Sequence, residues 1–367
     1  MSLKVLELFA GIGAVSKALT RLNIDFEIVD AVEIDKYAIK SFNAVHGTNF
    51  KPQDISNWDK NIEVDLISHG SPCQDFSLAG KGAGGDKGSG TRSSLMYETI
   101  RIVEKLKPKY VIWENVKNLL GKKHRHNFDA YLETMESLGY TNYYEVLNAK
   151  DYGIPQNRER VFTISILNND DYIFPPKQEL KLKLKDMLED EVDNKYYLSE
   201  KMIKYISANN EKWTGNNDKS IINKSVASAI NTGEGSRRCD ASNYISNDVE
   251  DNFDLKEKPR VIAGIGEKKS NGGAQWYQQD RIYDNKIAIS VATAFNPYYL
   301  EDYEGVQNIR IRKLTPKECW RLQGFDDEDF EKAAMVNSNA QLYKQAGNSI
   351  CVPVLEAMFS RLLIKDE

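Results

Sequence analysis

Cysteine is scarce in this chain: Cys73, Cys239, Cys319 and Cys351 are the only four in 367 residues, and no two form a CxxC pair. The four histidines add no ligand cluster to them, so neither a zinc site nor any other metal is expected. A disulfide framework is equally unexpected in so long a chain without an export signal. Long apolar runs are also missing, and Met1 leads straight into the strand-like "LKVLELF". No membrane span, signal peptide or anchor is expected, and the setting reads as reducing and cytoplasmic. A strong excess of positive charge is absent too. The net charge of -5 argues against a general nucleic-acid coat protein but leaves room for a local basic cleft. "GKKHRH" (121–126) and "GEKKSN" (266–271) are either parts of such a cleft or solvated loops.

What the chain does have is an alternation of strand-like and helix-like runs over its first 170 residues or so. "KVLELF" precedes a helical stretch from Ala14 to Leu22, and "FEIVDAVEI" precedes another from Lys36 to Val45. "VDLISHG" leads to a glycine-rich loop and then to the helix-like 93–106. "KYVIWENV" leads to a helical 128–139, and "NYYEVLNA" and "RVFTISIL" close the series. This pattern predicts an α/β fold with a doubly wound, mostly parallel sheet. After "NNDDYIFPPKQ" the periods weaken, and Asn, Ser, Gly and Lys accumulate around recurring aromatic residues. A second, smaller, loop-rich domain is expected there rather than a disordered tail. Pattern returns near the C-terminus, with a helix from about Val352. The expected division is 1–180, 181–330, and a segment 331–367 that returns to complete the first domain.

Several residues at the ends of the predicted strands carry chemistry. "FAGIG" (9–13) is a strand-to-helix glycine turn, where Gly11 and Gly13 let the backbone approach a ligand; a purely structural tight turn would look much the same. Glu33 ends the second strand, where nucleotide-binding sheets place an acid for ribose hydroxyls, and Asp54 follows in "QDI". Cys73 follows the third strand in "GSPC", at the carboxyl edge where open α/β sheets bind ligands. Glu114 ends the strand "YVIWE" at the same edge. Arg158 and Arg160 precede the next strand, in a pattern that suits a surface ion pair or a bound anion or carbonyl oxygen.

Taken in order, "FAGIG", "VEID", "QDI", "GSPCQDFS", "ENVKN", "YGIPQNRERVF", "RKLTPKECWRLQGF" and "QAGNSICVPV" resemble the motifs of DNA cytosine-5 methyltransferases of bacterial and phage type. The resemblance implies the S-adenosylmethionine-dependent methyltransferase fold, S-adenosylmethionine as methyl donor, and double-stranded DNA as substrate. It implies that Phe9, Gly11 and Gly13 shape the donor turn, that Glu33 holds the ribose, and that Asp54 and Ile55 hold the adenine. Asn348 and Ser349 would return to finish that pocket. Cys73 would add to C6 of the cytosine, Glu114 would hydrogen-bond N3 and the exocyclic amine, and Arg160 would meet O2. Arg158 would hold the site or a phosphate. Because the target atom is inaccessible in a duplex, the base must be flipped out, and residues 76–92 are expected to close over it. Gln74, Ser77 and Arg92 are expected at the DNA. The middle region would read a short target sequence that one chain alone does not disclose; Arg237, Arg238, Gln275, Gln278, Gln279 and Arg281 have suitable chemistry. The expected setting is restriction–modification, beside a separately acting endonuclease, or phage self-protection. A monomer suffices for one flipped base.

Overall fold

The computed structural model describes residues 2–71, 95–168, 170–198, 227–230, 244–246, 261–264, 281–283 and 311–364. Cys73, Gln74, Ser77 and Arg92 lie outside them, as do Arg237, Arg238, Gln275, Gln278 and Gln279. The chain divides into two compact units. The first takes in Met1–Met187, Val226–Thr232 and Pro316–Glu367, and the second Leu188–Ser225 and Gly233–Thr315. The expected returning segment, 331–367, falls within the last stretch of the first unit.

The first unit begins with β1 (Leu3–Leu8), α1 (Ala14–Arg21), β2 (Phe26–Val32), α2 (Lys36–His46) and β3 (Leu66–His69). It continues through α3 (Met96–Leu106), β4 (Tyr110–Val116), α4 (Arg125–Ser137), β5 (Tyr140–Asn148), β6 (Gln156–Asn157) and β7 (Glu159–Leu167). Six of these strands make one sheet in the order β2-β1-β3-β4-β7-β5. The pairs β1–β2, β1–β3 and β3–β4 are parallel. β7 runs antiparallel between β4 and β5. The chain steps from β1 outward to β2 and then back past β1 to β3. The sheet order therefore reverses beside β1, at the carboxyl ends of β1 and β3, where doubly wound sheets bind ligands.

Alternation along the strands decides the two faces. Leu6 and Leu8 of β1, Ile67 of β3, and Val111 and Trp113 of β4 point into a core shared with Met96, Ile100 and Val103 of α3 and Phe128, Tyr131 and Met135 of α4. On the opposite face, α1 meets β1, and Ser16 bonds to Glu7 there. α2 has both a local start and a local stop. Asp35 caps α2 by accepting from the Tyr37 amide at 2.9 Å, and Gly47 ends that helix at φ 66°.

The C-terminal stretch adds α5 (Pro316–Arg321), α6 (Asp327–Ala334), α7 (Asn339–Asn348) and α8 (Val352–Leu363). α8 packs on α1, where Arg21 pairs with Glu356 at 3.0 Å. α6 and α7 pack on α2. Pro353 sits in the first turn of α8, a position that needs no amide donor. Between β7 and these helices the chain supplies β8 (Ala227–Ser228), which pairs in parallel with β6.

The strands described in the second unit are β9 (Tyr244–Ser246), β10 (Val261–Gly264), β11 (Arg281–Tyr283) and β12 (Ile311–Lys313). They form two antiparallel pairs, β9–β12 and β10–β11. No helix among the described residues is long and apolar enough to cross a membrane.

Candidate active site

The turn after β1 is built for close approach. Phe9, Gly11 and Gly13 all adopt positive φ, at 54°, 56° and 81°. For Phe9 that conformation is uncommon and marks a locally constrained backbone. Gly13 is also sterically fixed: a Cβ there would lie 2.1 Å from His46 Nε2 and 2.9 Å from Phe42 Cε2. Burial pushes the His46 imidazole down to about 4, so it is neutral at pH 7, and Nε2 lies 3.2 Å from the Ile12 carbonyl oxygen. Gly11 is the reverse case. Among the described residues, the nearest atom to a Cβ there would be the Phe9 carbonyl oxygen at 4.0 Å, so they leave space beside the backbone.

Glu33, at the end of β2, is bound into this turn. Its Oε2 accepts the Gly11 amide at 3.1 Å and its Oε1 the Asp35 amide at 2.7 Å. Burial raises its carboxyl above the usual range, against the pull of those amides. Next to it, Ile34 is an aliphatic side chain that is 69% exposed, flanked by two acids. The Gln53 amide donates to the Glu33 carbonyl at 2.8 Å, which brings "QDI" to the end of β2. Asp54 is exposed and accepts the Ser56 amide at 2.9 Å, whereas the Ile55 side chain is buried in the core. Among the described residues, a glycine backbone with space beside it, a half-buried acid and an exposed aliphatic side chain together fit a donor with a sugar and a flat base.

Two buried acids behind this surface were not legible as site residues. Asp30 accepts from Gln53 Nε2 at 2.8 Å, Trp58 Nε1 at 2.8 Å and Lys60 Nζ at 2.7 Å. Burial alone would raise its carboxyl, but these partners outweigh it and hold the group below the usual range. Glu7 accepts both the amide and the hydroxyl of Ser16 at one oxygen. Burial pushes its carboxyl up to about 7. The available signal was an acid inside an otherwise apolar strand, at 7 in "VLEL" and at 30 in "VDAV".

The second cluster lies at the carboxyl ends of β3 and β4. His69 pairs in register with Trp113, so Gly70 comes level with Glu114. A Cβ at Gly70 would lie 3.6 Å from Glu114 Oε2. Glu114 Oε1 pairs with Arg160 Nε at 3.0 Å, with the two side chains only 12% and 20% exposed. Ser71, one position further on, is held from β4 by Trp113 Nε1 at 3.1 Å and Asn115 Nδ2 at 3.5 Å. His69 stacks on Trp113 with ring centroids 5.5 Å apart. The chain is thus tightly fixed up to the residue before Pro72.

Arg158 lies in the same run as Arg160 but does other work. It is buried, and its guanidinium donates to the carbonyls of Ile230 at 2.8 Å, Ser349 at 2.8 Å and Gly347 at 3.1 Å. Ser349 is buried at the end of α7, and Asn348 beside it is exposed. Their helix is fixed to the start of α2 by Lys344 to Asp35 at 2.6 Å and by Gln345 Nε2 to the Tyr37 carbonyl at 3.0 Å. Glu114 and Arg160 therefore meet directly, Phe9 to Gly13 meets Glu33, and Arg158 meets the Asn348–Ser349 segment.

A family model described as C-5 cytosine-specific DNA methylase matches residues 3–363. The chain is 34% identical to the type II methyltransferase M2.ScrFI of Lactococcus lactis subsp. cremoris, over 98% of this chain and 99% of that protein. It is 34% identical to the orphan methyltransferase M.SPRI of Bacillus phage SPR, over 98% and 97%. Among solved structures, the Entamoeba histolytica methyltransferase EhMeth superposes with a TM-score of 0.71 at 16% identity, covering 100% of both chains. S. pombe Dnmt2 superposes with a TM-score of 0.65 at 21% identity, covering 98% of both chains. The two superpositions speak to the fold.

Proposed function

The chain belongs to the C-5 cytosine-specific DNA methylase family, and from that premise we propose how it methylates its substrate. It acts on C5 of a cytosine within a short sequence of double-stranded DNA, with the base flipped out of the helix. The observation that carries this reading is the Glu114–Arg160 pair at the carboxyl edge of the sheet. It stands one strand away from the end of β3, from which the chain runs on to Cys73.

S-adenosylmethionine, bound, supplies an electrophilic methyl group. The residues around the β1 turn suit it: the open face of Gly11, the Glu33 carboxylate and the exposed Ile34 offer a backbone surface, a ribose acceptor and an apolar wall. Asp54 at the rim and the Asn348–Ser349 segment complete the set. This assignment of Asp54, Ile55, Asn348 and Ser349 rests on the family motifs.

Cytosine C5 is a poor nucleophile. Thiolate addition from Cys73 to C6 breaks the C5–C6 double bond and makes C5 electron-rich. Negative charge then builds on the ring at N3 and O2. Glu114 hydrogen-bonds N3 and the exocyclic amine, and Arg160 faces O2. The 3.0 Å ion pair orients both groups before the base arrives. Once C5 carries the methyl group, loss of its proton restores the double bond and expels the thiolate. Arg158 acts as a positioning residue. Gln74, Ser77 and Arg92 serve the DNA, and the second unit reads the target sequence. The setting is the bacterial cytoplasm, as a restriction–modification methyltransferase or a phage self-protection enzyme; one active site per flipped base makes a monomer sufficient.

The test is transfer of labelled methyl from S-adenosylmethionine to three substrates offered separately: duplex plasmid, tRNA and dCMP. Label is expected in 5-methylcytosine of the plasmid alone. Label confined to tRNA or to dCMP would overturn the reading.

A further inference from the structure

Four residues, Pro155 to Arg158, hold three separate stretches of chain. The Pro155 carbonyl accepts the Ala227 amide at 2.7 Å, and β6 pairs with β8 in the register Gln156 with Ala227 and Asn157 with Ser228. The Gln156 side chain is fully buried. Its Oε1 accepts the Ile230 amide at 2.9 Å and Gln323 Nε2 at 3.4 Å, and its Nε2 donates to the Leu322 carbonyl at 2.5 Å. Arg158 holds the Ile230 carbonyl at 2.8 Å. Both main-chain groups of Ile230 are therefore fixed, one by Gln156 and the other by Arg158.

Segment 226–232 is an unusual piece of the first unit, because it is joined at both ends to chain of the second. It is held by residues that lie two and four positions before Arg160, the partner of Glu114. Buried polar side chains that bridge distant segments fix geometry closely, since each lost bond leaves an unpaired group behind.

We propose that Gln156 is a positioning residue that couples the state of segment 227–230, and through it target recognition, to the Glu114–Arg160 pair. The inference rests on the methyltransferase reading above and extends it. Arg158 shares the junction, but it also holds Gly347 and Ser349, so a change there disturbs the expected donor pocket as well. Gln156 touches neither, which makes it the cleaner probe.

The experiment compares wild type with Gln156→Met, a side chain of similar volume that makes none of these bonds. The readouts are kcat and KM on the cognate duplex, the cognate to near-cognate ratio, and donor affinity by calorimetry. The expected result is a fall in kcat of about tenfold per correctly folded molecule and a several-fold narrower discrimination ratio, with donor affinity unchanged. Unchanged kcat per folded molecule and unchanged discrimination, with only a lower Tm, would show Gln156 to be structural filler and overturn the proposal. If Gln156→Met fails to fold, hydrogen exchange on wild type decides. The Ile230 amide should exchange more slowly with cognate duplex bound than with non-cognate duplex; equal rates overturn the proposal. A wild type that methylates no duplex at all would instead count against the methyltransferase reading, which separates the two failures.

Discussion

At the scale of single residues, two carboxylates differ through their surroundings. Glu114 sits against a guanidinium and partly faces the edge of the sheet, whereas Glu7 is sealed beneath α1, with Ser16 its hydrogen-bond partner among the described residues. Glu114→Gln keeps the size of the side chain but loses the ion pair with Arg160. It should lower kcat by about 10²–10³, with duplex affinity changed only a few-fold. Single-turnover methylation and gel-shift titration check the two halves. For Glu7, burial raises the folded carboxyl to about 7 from an ordinary 4.5. The folded state then holds a proton that the unfolded chain has released, so the stability this group contributes is complete below pH 4.5 and is lost as pH rises through 7. Urea unfolding of wild type and Glu7→Gln should show wild type losing ground to the variant between pH 5 and pH 8, by an amount on the order of 3 kcal/mol at most. A difference that stays flat with pH would contradict this.

At the scale of elements, the alternation of strands and helices was legible because both periods are clean. The expected helix from Ala14 runs to Arg21, the one from Lys36 to His46, and the last from Val352 to Leu363. What the pattern did not disclose was pairing. β7 carries the same kind of apolar run as the inner strands, yet it runs antiparallel to both its neighbours, β4 and β5, and only the short 149–158 connection hints at it. Nor could spacing alone tell that Arg158 turns to main-chain carbonyls while Arg160, two residues on, turns to Glu114. Arg158 lies just before β7 and Arg160 within it, and tertiary partners decide where each turns. The glycine turn of "FAGIG" was readable as a turn, but the separate tasks of its glycines were not: Gly11 leaves space, and Gly13 makes room for His46. Gly13→Ala should therefore destabilise the protein by about 2–5 kcal/mol and weaken donor binding, as measured by thermal unfolding and calorimetry. A mild Gly13→Ala would mean that α2 lies less close to the turn than described.

At the scale of the whole molecule, the two units suggest a division of labour. The first holds the six-stranded sheet and most of the motifs quoted above, while the second is assembled from 188–225 and 233–315, where the sequence loses its period. That loss of period is what hid its strands from sequence reasoning: β9 to β12 are three or four residues each, too short for alternation to register. Exchanging 188–225 and 233–315 for the equivalent stretches of a relative, with 226–232 kept, should change the sequence methylated and leave the chemistry intact. An unchanged target in methylation mapping would remove the recognition role from the second unit.

The measurement that bears most directly on the central claim is bisulfite sequencing of plasmid from cells expressing the protein, beside cells expressing Cys73→Ala. The account predicts unconverted cytosines in one short recurring context with the wild type and complete conversion with the variant. Complete conversion in both, with wild-type protein folded and present, would contradict duplex-DNA cytosine methylation; protection that survives Cys73→Ala would contradict the covalent mechanism.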